Sequence, residues 1–231
     1  MPFHSRRIGL SASGQPVDLE VGTKLTGRVG RLNVGVLGVQ QDGFEDVNSS
    51  NLFVGRVAAN VLRESSVGLI VTDGDPRSNL DNSLMGIDFR YRNTSLSSGR
   101  SLEGGLWYQH SNTQGVDTEQ DAWGVSLSSP NNNQGFEGDI AFQHIEENFN
   151  PALGFVNRSG IEFTDIGVAY RHLPEHRWVR EIAHSITMRT YDRIDGGFES
   201  RFMFFEPIEL ETNNGDLFSM QMTYDLSLIH I

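Results

Sequence analysis

The chain has 231 residues, of which 37% are hydrophobic and 10% aromatic, with no cysteine and a net charge of −12. That balance excludes nucleic acid as a partner, since binding it needs a basic surface that displaces counterions, and it excludes a polybasic anchor to anionic lipid. Disulfides and thiolate metal sites are excluded too, and no run of about 18 apolar residues exists to cross a membrane as a helix.

The opening Met1-Pro2-Phe3-His4-Ser5-Arg6-Arg7 lacks the apolar core of a signal peptide. If the protein is exported, its natural start is expected upstream. From there the dominant signal is alternation with period two, the mark of strands with one apolar and one polar face. It runs weakly through 24–30, 32–40, 53–61 and 66–72, then strongly from Leu84 to Arg92. In that stretch Met85, Ile87, Phe89 and Tyr91 share one face, and Gly86, Asp88, Arg90 and Arg92 share the other. A weak segment over 102–110 precedes Trp123, Val125 and Leu127, which oppose Ala122, Gly124, Ser126 and Ser128. Over 136–146, Phe136, Ile140 and Phe142 oppose Glu137, Asp139 and Gln143.

Weaker patterns over 161–171, 179–191 and 197–206 lead to a last clear one. There Phe218, Met220, Met222 and Tyr224 oppose Leu217, Ser219, Gln221 and Thr223. The sum is about twelve strands. Only Val57–Glu64 could be read as helical, and its flanks favour a strand. Turn chemistry separates the strands at Gln41-Asp42-Gly43, Asp73-Gly74-Asp75-Pro76, Ser97-Ser98-Gly99, Pro130-Asn131-Asn132-Asn133, Asp195-Gly196-Gly197 and Asn213-Asn214-Gly215.

Periodicity alone does not separate a soluble sandwich from a membrane barrel. Length and charge do. Several segments reach the roughly 9–11 residues that a bilayer-crossing strand needs, against about 5–6 for soluble strands. Charges of both signs gather on the polar faces, so Asp88, Arg90, Arg92, Glu137 and Asp139 are the candidate lumen-facing residues. None of the four best apolar faces carries Lys or Arg. Ser200, His144 and His184 fall on apolar faces and are expected near a membrane interface. Tyr91, Trp107, Tyr108, Trp123, Tyr170, Trp178, Tyr191 and Tyr224 lie mostly towards strand ends, where girdle aromatics belong. The last six residues, Leu226-Ser227-Leu228-Ile229-His230-Ile231, read like a translated sequencing-adapter tail. They are set apart from a barrel domain over 1–225.

Two further stretches point to a family. Phe3-His4-Ser5-Arg6-Arg7-Ile8-Gly9-Leu10, followed by Gly22-Thr23-Lys24-Leu25-Thr26-Gly27-Arg28-Val29-Gly30, resembles a segment of the bacterial family called domain of unknown function 5916. Asn148-Phe149-Asn150-Pro151-Ala152-Leu153-Gly154-Phe155-Val156-Asn157-Arg158 is similar to a second stretch of it. The resemblance implies an outer-membrane β-barrel, usually preceded by a carbohydrate-binding-like β-sandwich of the family 9 type, and it transfers no catalytic motif. Gly22, Gly27, Gly30 and Gly35 read as positions where strands bend or approach closely. Asn150-Pro151 reads as a turn, Gly154 as a conformation that other residues resist, and Arg6, Arg7 and Arg158 as lumen or rim cations.

Catalytic chemistry finds little support. His172-Leu173-Pro174-Glu175-His176 matches an inverted zinc-protease pattern, but Pro174 would break the helix that the motif requires. Asp73, Asp75 and Asp81 hint at calcium, yet Ser78 and Leu84 stand where an EF-hand needs Gly and Glu. Glu146-Glu147, or Glu137 with Asp139, offer carboxylate pairs without a cleft signature, and no G-x-S-x-G elbow occurs. The expectation is therefore an all-β, antiparallel up-and-down transmembrane β-barrel in the bacterial outer membrane, incomplete as given. Its partners would be outer-membrane lipid and a glycan, with no cofactor, no metal and no nucleic acid. The alternatives are a soluble all-β carbohydrate-binding module and a β-rich hydrolase. A barrel lacking strands should present an open or imperfectly closed curved sheet.

Overall fold

The computed structural model describes residues 5, 7–96, 99–130 and 134–228. Phe3, His4, Arg6, the Ser97-Ser98 and Asn131-Asn132-Asn133 turn residues and Ile229-His230-Ile231 lie outside the described residues. Twelve strands appear: β1 Leu19–Val29, β2 Leu32–Gln41, β3 Ser50–Val61, β4 Ser65–Asp73, β5 Asn82–Asn93, β6 Leu102–Thr113, β7 Asp121–Ser129, β8 Gly135–Ile145, β9 Ile161–His172, β10 Val179–Arg193, β11 Phe198–Thr212 and β12 Leu217–Ser227. They follow chain order in a single antiparallel up-and-down sheet, and no helix occurs among the described residues. The sheet is not closed: β1 and β12 each have a neighbour on one side only, and both are exposed along their whole length.

Each segment with period-two alternation became a strand, including Val57–Val61, which closes β3 before a turn. Strand lengths run from 9 to 15 residues. The largest departure is in β11, which continues past 206 to Thr212. Pro207 has no N–H to give to a ladder, and the β11–β12 register shifts between Phe205 and Ile208. That shift returns Ile208 and Leu210 to the face of Met203 and Phe205, so strict alternation read across it loses phase. Ser200 opposes Tyr191 and shares its face of β11 with Phe202 and Phe204, a face that also holds the buried Glu206 and meets Thr187 and Arg189 of β10.

The chain divides into two compact units, Met1–Arg90 with Leu106–Trp123 and Ile145–Gly160, and Tyr91–Gly105 with Gly124–His144 and Ile161–Ile231. In the first, exposed Phe53, Val57, Leu69, Val71, Met85 and Ile87 alternate with buried Leu52, Val54, Ile70, Thr72 and Leu84. In the register Val57 opposes Leu69 and Leu69 opposes Ile87, so the exposed residues form one continuous row. In the second, Phe136, Ile140, Val168, Ile186, Phe205 and the β12 residues Phe218, Met220, Met222 and Tyr224 are exposed.

The glycines of the Gly22–Gly30 and Asn148–Arg158 stretches divide by role. A Cβ on Gly22 or Gly27 would meet nothing within 4 Å, so neither serves a close approach, whereas Gly30 holds φ +60 in the β1–β2 turn. Gly154 lacks a positive φ; its constraint is crowding, because a Cβ there would sit 3.1 Å from Pro151.

Candidate functional site

The charged residues expected to line a lumen lie on β5 and β8. Asp88 on β5 accepts from Arg56 on β3 at 2.7 Å, and the two side chains are only 13% and 26% exposed. The pair spans β4 above Gly68, where a Cβ would stand 2.7 Å from both Arg56 Nη2 and Asp88 Oδ2. Arg56 was missed by sequence reasoning because both faces of β3 look apolar, Leu52 and Val54 on one side, Phe53 and Val57 on the other. Arg90 opposes Ser66 and is exposed. In the second unit Arg92 pairs with Glu103 at 3.3 Å, Glu137 is half-buried, and Asp139 lies across Gly167, with Oδ1 2.5 Å from the position of a Cβ. The same unit holds Arg171–Glu181 at 2.6 Å and Arg189–Asp165 at 3.1 Å.

The N-terminal stretch and the Asn148–Arg158 stretch meet. Arg7 donates through Nη1 to Asn150 Oδ1 at 3.2 Å and to the Ala152 carbonyl at 3.5 Å. Asn150 also donates its N–H to Ser111 Oγ at 3.0 Å and accepts from Asn82 Nδ2 at 3.0 Å. Leu153, fully buried, packs with Val39, Leu52 and Val54, and Ile8 and Leu37 close over that cluster. Gln41, also buried, accepts from the Gly9 N–H at 2.8 Å and donates to the Pro76 carbonyl at 2.8 Å. The β8–β9 loop and the N-terminal segment therefore fold onto the Leu52–Val54–Arg56 face of β3. The Asn150-Pro151 turn is present, closed by the Gly154 N–H on the Pro151 carbonyl at 2.8 Å.

Beside this covered end lies a cavity of about 620 Å³, lined by the β2–β3 and β4–β5 loops and the end of β6. Apart from Gly74 and Leu80, its lining residues carry amide, hydroxyl or carboxylate side chains, Ser50, Asn51, Asp73, Asp81, Asn82 and Asn112 among them. Asp75, considered for calcium, is engaged locally: Oδ1 accepts from the Arg77 N–H at 2.8 Å and Oδ2 from Ser78 Oγ at 2.7 Å. No group of three or more His, Cys, Asp or Glu that could hold a metal exists among the described residues.

Tyr108 Oη, from the middle of β6, donates to Asp121 Oδ1 at the start of β7 at 2.7 Å, His110 Nδ1 lies 2.6 Å from the same oxygen, and His144 pairs with Glu162 at 3.2 Å where β8 ends and β9 begins. His184 is hydrogen-bonded to the Pro207 carbonyl at the β11 irregularity. Trp107 alternates with exposed Leu106 and Tyr108, and the Tyr191 ring lies tilted against Phe163, with centroids 4.7 Å apart, on the Arg189 face. Neither belongs to the apolar row. His172–His176 forms a turn, with the His176 N–H on the Pro174 carbonyl. Glu146 Oε2 accepts from the Asp121 N–H at 2.7 Å. No family model, curated protein or solved structure matches the chain.

Proposed function

We propose that the chain forms part of a bacterial outer-membrane β-barrel whose polar face lines a water-filled or partly plugged interior that handles hydrophilic solutes, glycans among them. One observation carries this reading. Along strands of 9 to 15 residues, one face is a row of exposed apolar side chains, with Met85 65% and Ile87 47% exposed, while the paired charges Arg56–Asp88 and Arg189–Asp165 sit on the other. In water such a row would be a large unpartnered hydrophobic patch; in a bilayer it is the lipid-facing surface that a barrel requires. Asp121, His144 and Glu162 lie at strand ends, where an interface tolerates polar groups. The folded-in β8–β9 loop and N-terminal segment would narrow the interior at one end.

The test is fractionation of the full-length gene product in a Gram-negative host, with gel mobility compared before and after boiling. A heat-modifiable band in the outer-membrane fraction is expected. A soluble protein with unchanged mobility would overturn the reading and favour the soluble module.

A further inference from the structure

The fifteen residues between β8 and β9, Glu146–Gly160, form the longest connection between strands, and no other exceeds eight. All of it lies in the first unit. A loop of that length in a compact unit calls for a reason, and this one follows a directed course. It leaves and returns at one point, since a Cβ on Gly160 would stand 3.8 Å from Glu147 Cα, the closed form of an Ω-loop. Between those feet it steps over successive strands. Asn148 donates its N–H to the Glu119 carbonyl at 2.9 Å and its Nδ2 to the Thr118 carbonyl at 3.1 Å, both in the β6–β7 loop. Asn150 then bonds Ser111 near the end of β6 and Asn82 at the start of β5. At the tip, Leu153 packs on Leu52 and Val54 of β3 and Val39 of β2, five and six places along the sheet from β8. The N-terminal segment clasps that tip, with Arg7 donating to Asn150 and to the Ala152 carbonyl and Ile8 closing over the Leu153 cluster.

The strap is seated rather than loosely laid. Phe149, Ala152 and Leu153 are 5%, 0% and 0% exposed, so lifting it returns three apolar side chains to water. Apart from the Leu153 contact, the wall it covers with the N-terminal segment is polar. Asn82 and Ser111 bond the strap, Gln41 bonds Gly9, and all three are buried. A sheet folded around a dry core would carry apolar side chains at those places. A polar wall crossed by a docked loop is instead the arrangement of a wet interior narrowed from within.

We infer that Glu146–Gly160 is a fixed constriction that sets the largest solute able to cross the interior, anchored by Asn150 and Leu153, with Arg7 positioning its tip. This rests on the proposed barrel, whose interior it restricts.

The experiment is swelling of liposomes that contain the full-length protein, in arabinose, raffinose and stachyose, with gel mobility before and after boiling to verify insertion. In one variant a short glycine-serine turn replaces residues 149–156 and removes the tip; Gly38→Ala, where a Cβ meets nothing within 4 Å, is the control. A second variant keeps the strap: Phe155→Cys, at a residue 49% exposed, gives a chain without cysteine one thiol for a polyethylene-glycol maleimide. The shortened protein should admit a larger sugar than the wild type and the control do. Coupling to Phe155→Cys should cut its single-channel conductance by roughly half or more, since passage follows pore diameter. The same size limit in heat-modifiable wild-type and shortened proteins, or a conductance that coupling leaves unmoved, overturns the constriction and leaves the barrel standing. A soluble protein with unchanged mobility overturns the barrel, and the constriction falls with it.

Discussion

Replacing Gly68 by Ala tests whether the Arg56–Asp88 pair is as tightly seated as the geometry shows. A methyl at Gly68 would stand 2.7 Å from Arg56 Nη2 and from Asp88 Oδ2, and 3.1 Å from Asp88 Cγ. All are inside contact distance, so the pair must lift off β4. Overpacking of this kind costs about 1–3 kcal/mol, and breaking a buried pair about 3–5 kcal/mol. With the partners 26% and 13% exposed, solvent offsets part of the second figure, and about 2–3 kcal/mol is expected for Gly68→Ala. Gly38→Ala is the control: nothing lies within 4 Å of its Cβ position, and the change should stay within about 0.5 kcal/mol. In an Asp88→Ala background the methyl has room, so the two changes should couple by about 1–2 kcal/mol. The assay is guanidinium unfolding of the full-length protein, followed by tryptophan fluorescence. Additive effects, or a Gly68→Ala protein as stable as Gly38→Ala, would refute the seating.

Leu153→Ala should cost about 2–5 kcal/mol in the same assay, because Leu153 is 0% exposed among Val39, Leu52 and Val54; a loss under 1 kcal/mol would mean that the β8–β9 loop is not docked. Met85→Arg separates the environments. It should cost up to about 2–4 kcal/mol in lipid vesicles if its site lies near the bilayer midplane, and stay within about 0.5 kcal/mol if the exposed row faces water. In the β10–β11 turn, the Arg193 guanidinium donates to both oxygens of Asp195 at 2.9 Å and holds that carboxyl below its ordinary range. A depressed carboxyl contributes stability above its unfolded pKa and loses it as pH falls through the folded one. Arg193→Ala should therefore raise the Asp195 midpoint in a carbon-13 titration, with no change near neutral pH; an unmoved midpoint would show that the pair does not form in solution.

How much was legible depended on whether a strand's two faces differ in chemistry. Where they do, as in Leu84–Arg92 or the β12 row of Phe218, Met220, Met222 and Tyr224, alternation alone located the strand, and in β5 it also marked the exposed Met85 and Ile87. Where both faces are apolar it located the strand but not its charged residue, and Arg56 went unnoticed between Val54 and Ala58. In β11, Phe202 and Phe204 on one face and Met203 and Phe205 on the other left the faces indistinguishable, and the step at Pro207 completed the confusion. The cavity was invisible for another reason. Ser50, Asn82 and Asn112 are ordinary turn and strand-end residues, and only the register brings them to one wall. The motif glycines were legible as special positions, but not in their mechanism.

Two glycines on the charged face permit close approach, and they show how a carboxylate can lie against a neighbouring strand. Asp88 lies over Gly68 in the first unit and Asp139 over Gly167 in the second, each at 2.5–2.7 Å from where a Cβ would be. In both cases the missing side chain leaves a slot on the neighbouring strand, and the carboxylate folds down into it. A side chain held this way spends less conformational entropy when it meets a cation, and its charge stays fixed close to the backbone. The Arg56–Asp88 pair has its geometry for that reason: without the slot at Gly68, two charges separated by an intervening strand could meet only above its side chains. A glycine opposite a carboxylate on a charged face is thus a positional signal in its own right, one that period-two alternation cannot register because it involves two strands at once.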